Sequence, residues 1–174
     1  GFKNLMKTFG KLTYQMVYAQ HILTKPFVIR SVMIESPDSP LQTPQVETAL
    51  VLINNQEFIG GKFKVAPQTK NNDGKFNVTI FKHKNRLDLF KCTLQMMSGS
   101  YPHNDSELVV FETDRLTMTA LDGKPLEFFG DGETFTPSLR LDISIVPNAL
   151  EVCTFKGESL YFSSYSLDQI EMIQ

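Results

Sequence analysis

Apolar positions divide the chain into a helical opening and a long strand-rich remainder. Over residues 3–24, Leu5, Met6, Phe9, Leu12, Met16 and Val17 recur at spacings of three and four, with Lys3, Lys7 and Lys11 off the stripe. This pattern predicts an amphipathic helix ended by Pro26. From Phe27 the period changes. Residues 27–34 are β-rich and run into a loop punctuated by Pro37, Pro40 and Pro44; residues 46–54 alternate and then turn continuously apolar, as an inner strand does. Asn54-Asn55 and Gly60-Gly61 frame a turn or bulge, and residues 76–81 alternate again. Residues 86–97 return to helical spacing, with Leu87, Phe90, Leu94 and Met97 on one face and Gly99 as the C-terminal stop.

Beyond Gly99 the reading is nearly all short strands. Residues 108–113 and 115–121 are expected to pair across Asp114; Asp122-Gly123 turns the chain toward Phe128-Phe129, and residues 139–145 alternate cleanly before Pro147. Residues 150–155 and 159–163 are read as further strands. Many short strands divided by Gly, Pro and Asn turns predict a mainly β fold, an antiparallel β-sandwich with an N-terminal amphipathic helix and one further helix near 86–97.

Composition narrows the function classes. The 174 residues suffice for one domain with a core, and 41% hydrophobic with 21% charged residues is ordinary for a globular chain. A net charge of −2 argues against nucleic-acid binding through phosphate neutralisation. No apolar run reaches membrane-spanning length and no signal peptide is visible. Cys92 and Cys153 form no CxxC pair, which argues against a structural zinc site; they read as thiols in a reducing cytoplasm, with one disulfide in an exported protein as the alternative. The Gly at position 1 is expected to reflect processing, a tag or a longer parent chain.

No P-loop, GxGxxG or GxSxG motif is present. His21, His83 and His103 lack acidic or cysteine neighbours at ligand spacing, which predicts surface or structural histidines. The acidic turns carry more chemistry. In Phe128-Phe129-Gly130-Asp131-Gly132-Glu133 the two glycines can take positive φ, so a sharp turn presents Asp131 and Glu133 at a rim, for proton transfer or metal binding. The same Asp-Gly pair also marks ordinary hairpins without chemistry. Asp73-Gly74 sits in a second turn before a strand.

Read together, these stretches resemble the diacylglycerol kinase and sphingosine kinase family. The resemblance rests on Val51-Leu52-Ile53-Asn54-Asn55, on Gly60-Gly61-Lys62-Phe63-Lys64-Val65-Ala66-Pro67, and on Asn72-Asp73-Gly74-Lys75-Phe76-Asn77-Val78. Asp131-Gly132-Glu133, the Pro147-x-Ala149-Leu150-x-Val152 ending and Lys11-Leu12-Thr13-Tyr14 after Gly10 follow the same pattern. The match runs from about residue 5 to about residue 153, and the order of the motifs gives it specificity.

The resemblance implies an enzyme of two domains, an α/β nucleotide-binding domain and an antiparallel sandwich akin to that of NAD kinases, with ATP and lipid meeting between them. Residues 1–155 correspond to the sandwich, the C-terminal domain; 156–174 form an extension without counterpart. The Gly-Gly-Asp-Gly-Thr motif of the nucleotide domain is missing from the chain, so this piece alone is expected to be inactive. By resemblance Glu133 is the general base for the lipid hydroxyl and Asp131 supports the metal and water network. A structural magnesium is implied at the Asp73 carboxylate and the backbone oxygens of Lys70 and Lys75, with ATP held mainly by the missing domain. The implied partners are a diacylglycerol-like or sphingoid lipid, a transient membrane surface and the enzyme's own nucleotide domain, at a cytoplasmic, peripheral location; a homodimer is left open. Phe58, Ile59 and the Met96-Met97 pair are candidates for the membrane surface, with core burial the stronger expectation. The alternative is a non-catalytic sandwich that binds lipid or protein. An NAD kinase relative fits the Asp-Gly-Glu turn less well.

Overall fold

A computed structural model describes residues 27–59, 63–67, 69–102, 104–130, 133–147 and 149. The expected helix over 3–24, the Gly60-Gly61 pair, His21, His103, Asp131, Gly132, Cys153, the strands over 150–155 and 159–163 and the extension over 156–174 lie outside these residues. So do Leu150 and Val152 of the terminal motif.

Two antiparallel sheets face each other. The first has the order β11-β8-β1-β2, built from Arg140–Ser144, Arg115–Ala120, Arg30–Glu35 and Gln45–Thr48; the second has the order β3-β6-β7, from Leu50–Asn54, Phe76–Phe81 and Leu108–Thr113. Period-two alternation sends Val32, Ile34, Val46, Leu116 and Met118 of the first sheet against Phe76, Val78, Ile80 and Phe111 of the second. Two small hairpins complete the strands: β4 with β5 (Phe58–Ile59, Phe63–Lys64) and β9 with β10 (Phe129–Gly130, Glu133–Thr134). The predicted sandwich is therefore present.

The other face of the second sheet is covered by the helix α1, Arg86–Met97, whose limits agree with those read from the sequence. Asn85 caps its start: with extended dihedrals it accepts the Asp88 N–H at 2.9 Å. At the other end Gly99 takes φ +86° and donates to the Met96 carbonyl, a left-handed stop that a side chain would strain. The expected face of this helix is wrong. Leu89, Cys92 and Met96 are buried with Phe81, whereas Leu87 and Leu94 are 62% and 52% exposed. The true stripe sets two small residues, Cys92 and Thr93, between Leu89 and Met96. The Thr93 hydroxyl donates back to the helix carbonyls of Leu89 and Phe90.

Three strand expectations are corrected for one reason: the chain changes sheet without reversing. Residues 46–54 are two strands, β2 in one sheet and β3 in the other, broken at Ala49. β3 is an edge strand rather than an inner one; its apolar run arises because Val51 and Ile53 face the sandwich core while Leu50 and Leu52 face the helix. Strands β7 and β8 do not pair across Asp114. β7 pairs with β6, and β8 with β1 and β11, since one residue can kink a strand but cannot turn it back. A threonine hydroxyl secures each corner. Thr48 Oγ1 reaches the Leu50 and Phe81 carbonyls, and Thr113 Oγ1 meets the N–H and carbonyl of Arg115 and accepts from Ser36. The alternation of β6 marks no solvent face either. It is the central strand, buried along its whole length, with Thr79 donating to Asn77 on the helix side.

Candidate functional site

The chain between β8 and β11 leaves the sheet as an excursion that carries the acidic turn. At its base Leu126 and Ser138 exchange two backbone hydrogen bonds, 2.7 and 3.2 Å, and further out Phe135 N–H donates to the Phe128 carbonyl at 3.0 Å. The Phe128 and Phe135 rings pack 5.1 Å apart. At the tip Glu133 pairs with Gly130 and Thr134 with Phe129. Glu133 is exposed, on a backbone fixed by these ladders. Gly130 is not at positive φ as expected; it is a strand residue whose missing side chain leaves the Phe128 and Phe135 rings in van der Waals contact with its place.

The excursion is anchored by a residue that the sequence did not mark. Arg30, on β1, donates through Nε and Nη2 to both carboxylate oxygens of Asp122, at 2.5 and 2.8 Å, and to the carbonyls of Lys124 and Pro125. Asp122 also accepts the Lys124 N–H, and Gly123 supplies φ +72° for the turn. The guanidinium hydrogen bonds hold the Asp122 carboxyl at about 2, well below its ordinary value, and raise the Arg30 pKa in return. One side chain thus fixes the loop that leads into the hairpin.

The second acidic turn precedes β6. Asp73 Oδ1 accepts the Lys75 N–H at 2.9 Å, Gly74 takes φ +75°, and Lys75 Nζ lies 3.8 Å from Asp38. Lys70, Asp73 and Lys75 are all exposed and share one loop. The ladders put the two turns at opposite ends of the sandwich. Phe76, just after Asp73-Gly74, pairs with Thr113 beside the start of β8, whereas the Glu133 hairpin follows the end of β8. Six residues of strand intervene, about 20 Å at ~3.3 Å per residue.

Two open clefts lie away from the Glu133 hairpin. One, of about 540 Å³, borders Glu35, Ser36, Arg115, Thr117 and Asp142; the other, of about 580 Å³, borders Lys75, Asn77, Tyr101, Pro102 and Asp105. Glu133 lines neither.

Residues 3–154 match the family model described as the YegS C-terminal NAD kinase beta sandwich-like domain. The chain belongs to this family. The YegS C-terminal sandwich fold is shared with two solved structures described as "a putative diacylglycerol kinase from Bacillus anthracis str. Sterne". One is 20% identical with a TM-score of 0.55, over 75% of this chain and 43% of that one. The other is 17% identical with a TM-score of 0.56, over 75% and 41%. At these identities the likeness is one of fold. The chain spans less than half the length of either structure. No curated protein matches it.

Sequence reasoning missed two clusters in this YegS-type sandwich. Arg30 and Asp122 stand 92 positions apart, so only the Asp122-Gly123 turn was visible. His83, expected to be isolated, is buried with its Nε2 2.9 Å from Asp105 Oδ2, and the Cys92 thiol lies beside both. Spacings of nine and twenty-two residues match no ligand motif; the three meet because α1 folds back over the end of β6. Among the described residues no helix is long and apolar enough to cross a membrane.

Proposed function

We propose that this chain is the substrate-side domain of an ATP-dependent lipid kinase of the diacylglycerol kinase type, in which Glu133 accepts the proton of a lipid hydroxyl as that oxygen attacks the γ-phosphate. The observation that carries the reading is the Glu133 hairpin: an exposed carboxylate on a backbone clamped at its base, within a sandwich of the YegS C-terminal family. General-base catalysis needs an acceptor held in register with its proton, and the ladders supply that register. Phosphate positioning and charge neutralisation belong to a nucleotide-binding domain, which the chain's own motifs do not supply. Asp131 beside Glu133 supports the water network. A diacylglycerol-like or sphingoid lipid, met at a membrane surface, is the substrate class.

The Asp73 turn fits a magnesium ion by the chemistry of its donors. One carboxylate and the backbone oxygens of Lys70 and Lys75 form a hard, oxygen-only set, and their exposure leaves room for water ligands. Such an ion, at the opposite end of the sandwich from Glu133, would stiffen the loop ahead of β6 rather than take part in the transfer.

Glu133→Gln in the enzyme that includes the nucleotide-binding domain tests the reading. Turnover on a diacylglycerol or sphingoid lipid is expected to fall on the order of 10²–10⁴-fold, with ATP affinity unchanged. Near-normal turnover removes Glu133 from the mechanism. No phosphate transfer by the wild-type enzyme to any lipid of the panel would favour a binding module instead. That second reading is supported by the exposed Phe129, Phe135 and Leu139 around the hairpin.

A further inference from the structure

His83 and Cys92 are 3% and 4% exposed, and with Asp105 they bring an imidazole nitrogen, a thiol sulfur and a carboxylate oxygen within 4.8 Å of one another. Each comes from a different element: His83 from the segment after β6, Cys92 from the middle of α1, and Asp105 from the turn before β7. That turn is itself fixed, because Asp105 Oδ1 accepts the Glu107 N–H at 2.9 Å and its carbonyl accepts from Leu108.

We propose that His83, Cys92 and Asp105 form a binding site for one borderline divalent cation of the zinc class. The donor set is one nitrogen, one sulfur and one oxygen, the mixture that selects zinc over magnesium or calcium. In a tetrahedral zinc site neighbouring ligands lie roughly 3.3–3.6 Å apart, so donors within 4.8 Å of one another need to draw together by about an ångström to enclose an ion. Three protein ligands leave a fourth position. Asp105 is partly exposed and lines the cleft of about 580 Å³ with Tyr101, Pro102 and Lys75, so water or a small anionic ligand can reach that position.

The cation-free cluster is poised for such an exchange. His83 Nε2 and the Cys92 thiol both face one carboxylate, and among the described residues His83 Nδ1 is buried with no hydrogen-bond partner. Burial, and then the charge and hydrogen bonding of Asp105, push the Cys92 thiol up to about 12. A bound cation reverses this preference, because a coordinating thiol is deprotonated outright and its proton passes to solvent.

The chain has two cysteines, so in the Cys153→Ser protein a thiolate-to-metal signal can come only from Cys92. We expect cobalt(II) added to that protein to produce a sulfur-to-cobalt charge-transfer band and tetrahedral visible bands. Both should saturate at one equivalent and disappear when zinc is added. Asp105→Asn and His83→Asn in the same background should each weaken cobalt binding at least tenfold. Absence of the band at a tenfold excess of cobalt overturns the site. So does a band that neither substitution alters. If His83→Asn does not fold, the Asp105→Asn titration alone decides. Because the readout is metal binding, it is independent of any phosphotransfer by Glu133.

Discussion

Asp122 shows at the residue scale how a single partner sets the acid limit of a loop. Its carboxyl titrates at about 2 in the fold against an ordinary 3.8, because Arg30 hydrogen-bonds the charged form. A depressed folded pKa adds stability that is fully present above the ordinary value and is lost as pH falls through about 2. Asp122→Asn is therefore expected to be less stable than wild type in urea denaturation at pH 7, with the gap closing between pH 4 and pH 2. A gap that persists at pH 2 would mean that the cost lies in packing, not in the ion pair. Half of this device was legible beforehand. Asp-Gly announces a turn through local backbone preference, but no local rule pairs it with an arginine on a distant strand. The same limit hid the meeting of His83, Cys92 and Asp105, while Asp73, whose signal is local, lies in a turn as expected, and Glu133 stands on strand β10.

At the element scale, type was easier to read than partner. Asn85, which was passed over in the sequence, caps the start of α1, whose limits followed from its helical spacing and from Gly99. Its buried face did not, because Cys92 and Thr93 carry less hydrophobic signal than the exposed Leu87 and Leu94. Likewise the strands on either side of Asp114 were seen and 46–54 was read as one strand, but the change of sheet at Ala49 and Asp114 was not seen, since a kink and a turn look alike in a list of residues. What distinguishes the corners is a buried hydroxyl. Thr113 is fully buried, and its Oγ1 serves Ser36 and both backbone groups of Arg115. Replacing it by valine keeps the shape and leaves those polar groups unsatisfied. Thr113→Val should cost about 1–3 kcal/mol, measured as a shift in the urea midpoint at unchanged slope. A neutral substitution would show that water takes over the hydroxyl's role.

At the scale of the whole molecule, the corners decide how the sandwich unfolds. The chain passes directly from one sheet to the other at Ala49 and at Asp114, so the sheets are linked at two corners by a single residue each, and separating them strains both corners. Central strand β6 joins the two cores as well: Phe76, Val78 and Ile80 belong to the inter-sheet cluster, and Phe81 to the cluster beneath α1 with Leu89, Cys92 and Met96. Loss of either cluster therefore exposes the other, which argues for one cooperative transition. Cys92 provides a local probe, since its thiol is buried under the helix. In the Cys153→Ser protein, urea unfolding followed by far-ultraviolet circular dichroism and by Cys92 alkylation should give the same midpoint and slope. Phe81→Ala, which empties a fully buried aromatic site at the junction, should move both curves together by about 3–5 kcal/mol. If alkylation instead runs ahead of the loss of strand signal, α1 opens independently. The helix is then a lid over the second sheet rather than part of one folding unit.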